Sequence, residues 1–197
     1  MKRLNAWMQL LLGRLVQPAS AHCDTADGPA VVDGIRSLKS GNINFALKWI
    51  HEEAEGELRP LFEQVQRVRK LGPEAAEVAD RLFLETLIRV HRAGEGAGFE
   101  GIKPTGTELP PEVVAADVAL VDGNFEPLRQ LIAEDRRAEL ERRYNIAMSK
   151  KGFDPDELKA ARDYVAAYVD YFKYAEGEDH HHHHGGHHGH GPAHHGH

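Results

Sequence analysis

Apolar residues recur at helical spacing along most of the chain, and the alternation that marks a half-buried strand is almost absent. Ala75, Val78, Ala79, Leu82, Phe83 and Thr86, for example, fall on one helical stripe. The pattern predicts an all-α fold. A first helix is expected near Pro29–Leu38, stopped by Gly41-Asn42. A longer one runs from about Ile43 to Lys70, broken near Gly56 or Pro60, and ends at Gly72-Pro73. A third runs from about Pro73 to Arg92. A Gly- and Pro-rich loop follows over 93–111, and similar helices are expected near 111–121, 125–151 and 155–175. The last of these carries Tyr164, Tyr168, Tyr171 and Phe172, an aromatic stripe suited to a core.

The second half of this pattern is the first half shifted by 82 residues, without a gap. Pro29, Val31, Val32 and Leu38 meet Pro111, Val113, Val114 and Leu120. Gly41-Asn42 meets Gly123-Asn124, and Ile50, Glu52, Glu57 and Leu58 meet Ile132, Glu134, Glu139 and Leu140. Pro73 meets Pro155 and Ala79 meets Ala161. Matches at turn residues and core-type residues in one register predict a helical bundle of two related three-helix halves, about 22–92 and 104–175.

The ends of the chain differ in kind from this bundle. Lys2 and Arg3 precede an apolar stretch from Leu4 to Val16, and Ala19-Ser20-Ala21 has the form of a cleavage site. Residues 1–21 therefore read as a signal peptide, and the protein as exported, periplasmic or secreted. The competing reading is an amphipathic first helix, since Gln9, Gly13 and Arg14 interrupt the apolar run. After Val16 no stretch is apolar for long enough to span a membrane. At the other end, 176–197 reads as a disordered low-complexity tail in which eleven of the last 18 residues are histidine.

Composition narrows the function. Apolar residues make up 41% and charged residues 28%, as in an ordinary globular protein. The net charge is −7, and cleavage would remove three cations and carry it to −10, which argues against a nucleic-acid partner. A homo-oligomer is compatible with this composition. The expected partners are metal ions. In the tail His180, His181, His182, His183, His184, His187, His188, His190, His194, His195 and His197 offer neutral imidazoles that suit nickel, copper or zinc. The runs are broken by Gly185-Gly186 and Gly189, unlike an artificial six-histidine tag.

A second signal is His22-Cys23-Asp24. If cleavage follows Ala21, four donors sit within two residues: the α-amine, the His22 imidazole, the Cys23 amide nitrogen and the Cys23 thiolate. Amine, amide and thiolate favour the square-planar geometry of nickel(II) and copper(II). Cys23 is the single cysteine, so in an exported chain it is a free thiol, an intermolecular bridge or a ligand. Every histidine outside the tail lies in the first half, so an ordered site is expected there. His91 closes the third helix and either completes the site or faces the helix dipole. His51 is expected on the surface, and Glu85 inward with Arg89 as partner at i+4. Gly96-Ala97-Gly98-Phe99-Glu100-Gly101 is a formal dinucleotide signature, but it follows a helix rather than a strand, so that mechanism fails.

The opening His22-Cys23-Asp24 resembles that of mature nickel-type superoxide dismutase, which begins His-Cys-Asp-x-x-Cys-Gly. The resemblance implies that His22 supplies amine and axial imidazole, and Cys23 amide and one thiolate. The second cysteine of that family falls on Asp27, followed by Gly28, so Asp27 would ligate as a harder oxygen donor. The chain also resembles a family of uncharacterised exported bacterial proteins, through His22–Pro29, Gly41–Trp49 and His91–Gly96. That likeness implies no established activity. The function expected is transition-metal binding, by nickel or copper at the hook. If the protein is an enzyme, it is a metal-dependent oxidoreductase of superoxide dismutase type. The alternatives are a non-catalytic metal store or chaperone acting through the tail, and an interaction module without an ordered metal.

Overall fold

A computed structural model describes residues 22–177. Residues 1–21, expected to be a signal peptide, and residues 178–197, with all eleven tail histidines, lie outside the described residues, whereas Glu176, expected to begin the tail, closes the last helix. Within the described residues the chain is all-α. The helices are α1 (Pro29–Ser40), α2 (Asn44–Leu47), α3 (Glu55–Val68), α4 (Pro73–Gly94), α5 (Pro111–Asp122), α6 (Glu126–Leu131), α7 (Glu134–Lys150) and α8 (Leu158–Glu176). No described helix is long and apolar enough to cross a membrane.

The elements follow the 82-residue shift. Both α1 and α5 open on a proline and end on a left-handed glycine, Gly41 at φ 75° and Gly123 at φ 71°, whose amide bonds back to Ser37 or Ala119. The matched apolar pairs Val31/Val113, Leu38/Leu120, Ile50/Ile132, Leu58/Leu140 and Ala79/Ala161 are all buried. The packing repeats too: α1 and α3 lie on α4, while α5 and α7 lie on α8. Gly34 lets α1 approach α4 closely, since a Cβ there would come within 2.6 Å of a Leu84 methyl.

The expected long second helix is split, so each half holds four helices rather than three. In the first half the break falls at Lys48–His51, and α3 continues through both Gly56 and Pro60. Long-range partners decide the place. Interrupting a helix strands carbonyls that must find donors elsewhere. Arg162 of α8 donates Nε to Ile50 O at 3.1 Å and a terminal nitrogen to Leu47 O at 3.4 Å. The His91 ring meets Trp49 O at 2.8 Å. The Trp49 ring then stands edge-on to Tyr168 at 5.8 Å, which carries the core across from one half to the other.

Candidate metal centre

The segment His22–Thr25 is buried, wedged where the two halves meet. The loop between the halves holds its backbone: Lys103 N donates to Asp24 O at 2.8 Å and Ala26 N to Lys103 O at 2.9 Å, a single parallel bridge. Gly28 tucks beneath it. A Cβ on that residue would come within 2.3 Å of His22 O, so only glycine fits. Arg92, from the last turn of α4, reaches Asp24 Oδ2 at 3.2 Å and donates Nε to Gly98 O at 2.9 Å. The glycine-rich loop over 96–101 thus serves as a backbone partner for Arg92.

His22 is held from the second half. Its ring stacks on Phe172 of α8 at 5.2 Å and 14° between planes. Its Nε2 lies 2.9 Å from Asp117 Oδ2 of α5, and Tyr168 OH donates to the other oxygen of that carboxylate at 3.3 Å. Both ring nitrogens of His22 are buried without a hydrogen-bond partner, so the Asp117 carboxylate meets Nε2 as a charge partner only.

Cys23 is 7% exposed and is a free thiol. Burial pushes it well above the ordinary thiol range, and the carboxylates of Glu95, Asp24, Asp117 and Glu176 push it further. Beside it is a cavity of about 10 Å³, lined by His22, Glu95, Tyr168 and Phe172 among others. A buried thiol with little thiolate reacts slowly. The folded protein is therefore expected to alkylate with iodoacetamide on the order of tenfold more slowly than the urea-unfolded chain, read by intact mass over time. Equal rates would mean that the segment is not seated.

Asp27, the expected oxygen ligand, is exposed at the turn after the hook. Hydrogen bonds from the Thr25 side chain and the Gly106 amide, the latter at 3.3 Å, hold its carboxyl below the ordinary value. It shares with His22 a cavity distinct from the one beside Cys23. His91 is buried, 4% exposed, in the last turn of α4. His51 is exposed, and Glu85 is half-buried and accepts from Arg81 Nε at 2.9 Å. Arg89, the partner expected for Glu85, pairs with Glu57 of α3 instead. Among the described residues no group of three His, Cys, Asp or Glu side chains is gathered for one ion. A hook of the expected kind takes two of its four donors from the backbone and needs no such group.

Glu95, Asp117 and Phe172 escaped the sequence reading. Asp117 and Phe172 reach the site from the other half, which no local pattern shows. Glu95 could have been found: it stands four residues after His91, so both project from one helical face.

No curated protein and no solved structure matches the chain. One family model does, over residues 27–174, beginning after the His22-Cys23-Asp24 opening. The chain accordingly belongs to the family described as a family of unknown function (DUF6448).

Proposed function

We propose that this is an exported transition-metal binding protein, with nickel or copper held by a hook that forms when the leader is removed before His22. The observation that carries the reading is the state of the His22 ring. Neither ring nitrogen has a hydrogen-bond partner: Nε2 lies 2.9 Å from the Asp117 carboxylate as a charge partner, and Nδ1 is buried. Nδ1 is the nitrogen that closes a six-membered chelate with the α-amine of the same residue. The Cys23 amide and thiolate add two five-membered rings. A carboxylate on the far nitrogen is the usual outer support of a metal-bound imidazole. The negative charges of Glu95, Asp24, Asp117 and Glu176 also act on the Cys23 thiol, a field that favours a bound cation over a bare thiolate.

Binding is the function supported, and the histidine-rich tail adds capacity to it. Superoxide dismutation rests on the resemblance of the opening alone. That chemistry in nickel enzymes uses two thiolates, and this chain has one. In a dismutase His22 and Cys23 would hold the metal, which would supply one-electron chemistry, and the Cys23 thiolate would tune its potential.

The test is the thiolate-to-metal charge-transfer band, which the tail imidazoles cannot produce. Secreted protein should begin at His22 by intact mass and show the band with about one nickel or copper per chain. Cys23→Ser should lose the band but keep the tail-bound metal. Protein that retains residues 1–21, or that gives no band when loaded, would overturn the hook and leave metal binding to the tail without Cys23. A superoxide assay on the loaded protein then separates an enzyme from a store.

A further inference from the structure

His91 and Glu95 form a second arrangement, in which Glu95, whose charge also acts on Cys23, meets a ring that supplies no donor to the hook. His91 Nδ1 lies 2.8 Å from the carbonyl of Trp49, and a carbonyl only accepts, so Nδ1 carries the ring proton. In the neutral ring Nε2 then presents a lone pair. It is buried and has no hydrogen-bond partner. The group it faces is Glu95 Oε2, at 3.9 Å, which is also buried and without a hydrogen-bond partner. The other oxygen of that carboxylate is paired with Lys173 of α8 at 3.2 Å, which fixes its direction. Two acceptors are thus aimed at one another across a gap too long for a hydrogen bond. Desolvating both costs free energy unless a cation sits between them.

The gap suits a metal ion. Imidazole and carboxylate ligands bind such ions at about 2.0–2.2 Å, so one ion can touch both with a wide angle between the bonds. The pair also stands at the wall of an open cleft of about 310 Å³ between the halves, lined by Lys48, Trp49, Arg162 and Val169 among others. We propose that His91 and Glu95 hold a divalent first-row transition-metal ion, with water from the cleft filling its remaining positions. No third side-chain donor is gathered there among the described residues, so the ion exchanges readily. One borderline nitrogen and one oxygen favour zinc, cobalt, nickel or copper over calcium or magnesium. The Trp49 carbonyl is the outer support that orients the imidazole. The site does not rest on the hook: it needs neither cleavage at Ala21 nor Cys23.

Trp49 supplies the readout. Its ring stands edge-on to His91 at 5.8 Å, and Trp7 is the only other tryptophan in the chain. The full-length chain carrying Trp7→Phe is titrated with copper(II) until the tail is filled, while tryptophan emission is followed. Emission is expected to fall at least twofold. The fall should persist in Cys23→Ser, which separates this site from the hook. In Glu95→Gln it should require on the order of tenfold more copper, and in His91→Asn it should vanish. Asn keeps a donor for the Trp49 carbonyl, and circular dichroism checks that each variant is folded. If His91→Asn does not fold, Glu95→Gln decides alone. Emission that never falls, or that falls equally in the folded variants, overturns the site and leaves His91 and Glu95 as a charge pair.

Discussion

Arg92→Met is expected to destabilise the protein by about 3–5 kcal/mol, the usual cost of stranding one member of a buried ion pair. Asp24 and Arg92 are both more than nine-tenths buried and meet at 3.2 Å. Asp24 Oδ1 already lacks a hydrogen-bond partner. Burial raises the Asp24 carboxyl above its ordinary value, and Arg92 gives the largest opposing effect. The pH dependence follows from that direction. An acid raised by folding favours the folded state while it is protonated. Its cost appears as pH rises from below its unfolded value to above its folded one. Without Arg92 the raising is greater, so the deficit of Arg92→Met should be largest at neutral pH and shrink in mild acid. Urea unfolding at both pH values measures this. Asp24→Asn in the Arg92→Met background should recover part of the loss, because it removes the stranded charge. The freed segment should also expose Cys23 to alkylation. A variant that unfolds at the wild-type urea concentration would mean that Asp24 is hydrated and that the wedge between the halves is loose.

The same wedge shows where the sequence could be read and where it could not. Helix starts and stops were legible because they are local: a proline opens α1, α4 and α5, and glycine in the left-handed region closes α1 and α5. The stripe Tyr164, Tyr168, Tyr171 and Phe172 was legible because helical spacing alone puts it on one face; the last three are buried core and Tyr164 is half-buried at its edge. The interruption at Lys48–His51 was not. Lys48-Trp49-Ile50 contains no breaker, whereas Gly56 and Pro60 do look like one. The stranded carbonyls are satisfied by His91, some 40 residues on, and by Arg162, more than 100 residues on. His22 and Cys23 stood out as donors in sequence. Their surroundings are assembled from α5, α8 and the end of α4, so the Asp117 contact and the Phe172 stack had no local signature. His91 was ambiguous because its role depends on which atom faces each nitrogen, and spacing carries no such information.

The 82-residue register makes a quantitative demand on the core. Leu58 of α3 and Leu140 of α7 occupy equivalent places, and both are fully buried, at 0% exposure. Each helix packs on the last helix of its own half, α4 or α8. Leu58→Ala and Leu140→Ala should therefore each cost about 2–5 kcal/mol, the lost transfer free energy plus the cavity left behind. Val121→Ala is the control: that side chain is 73% exposed, and its loss should change stability by less than about 0.5 kcal/mol. The shape of the unfolding curve carries a second result. Trp49 against Tyr168, Arg162 on the Ile50 carbonyl and the buried His22–Thr25 segment all join the halves. A chain joined in this way should unfold in one transition, and either leucine variant should shift all of it. Emission from Trp49 reports the first half, and tyrosine absorbance, dominated by Tyr144, Tyr164, Tyr168, Tyr171 and Tyr174, reports the second. If Leu140→Ala moves the tyrosine transition and leaves the Trp49 transition in place, the halves are separate folding units. A site built from residues of both would then form only after they dock.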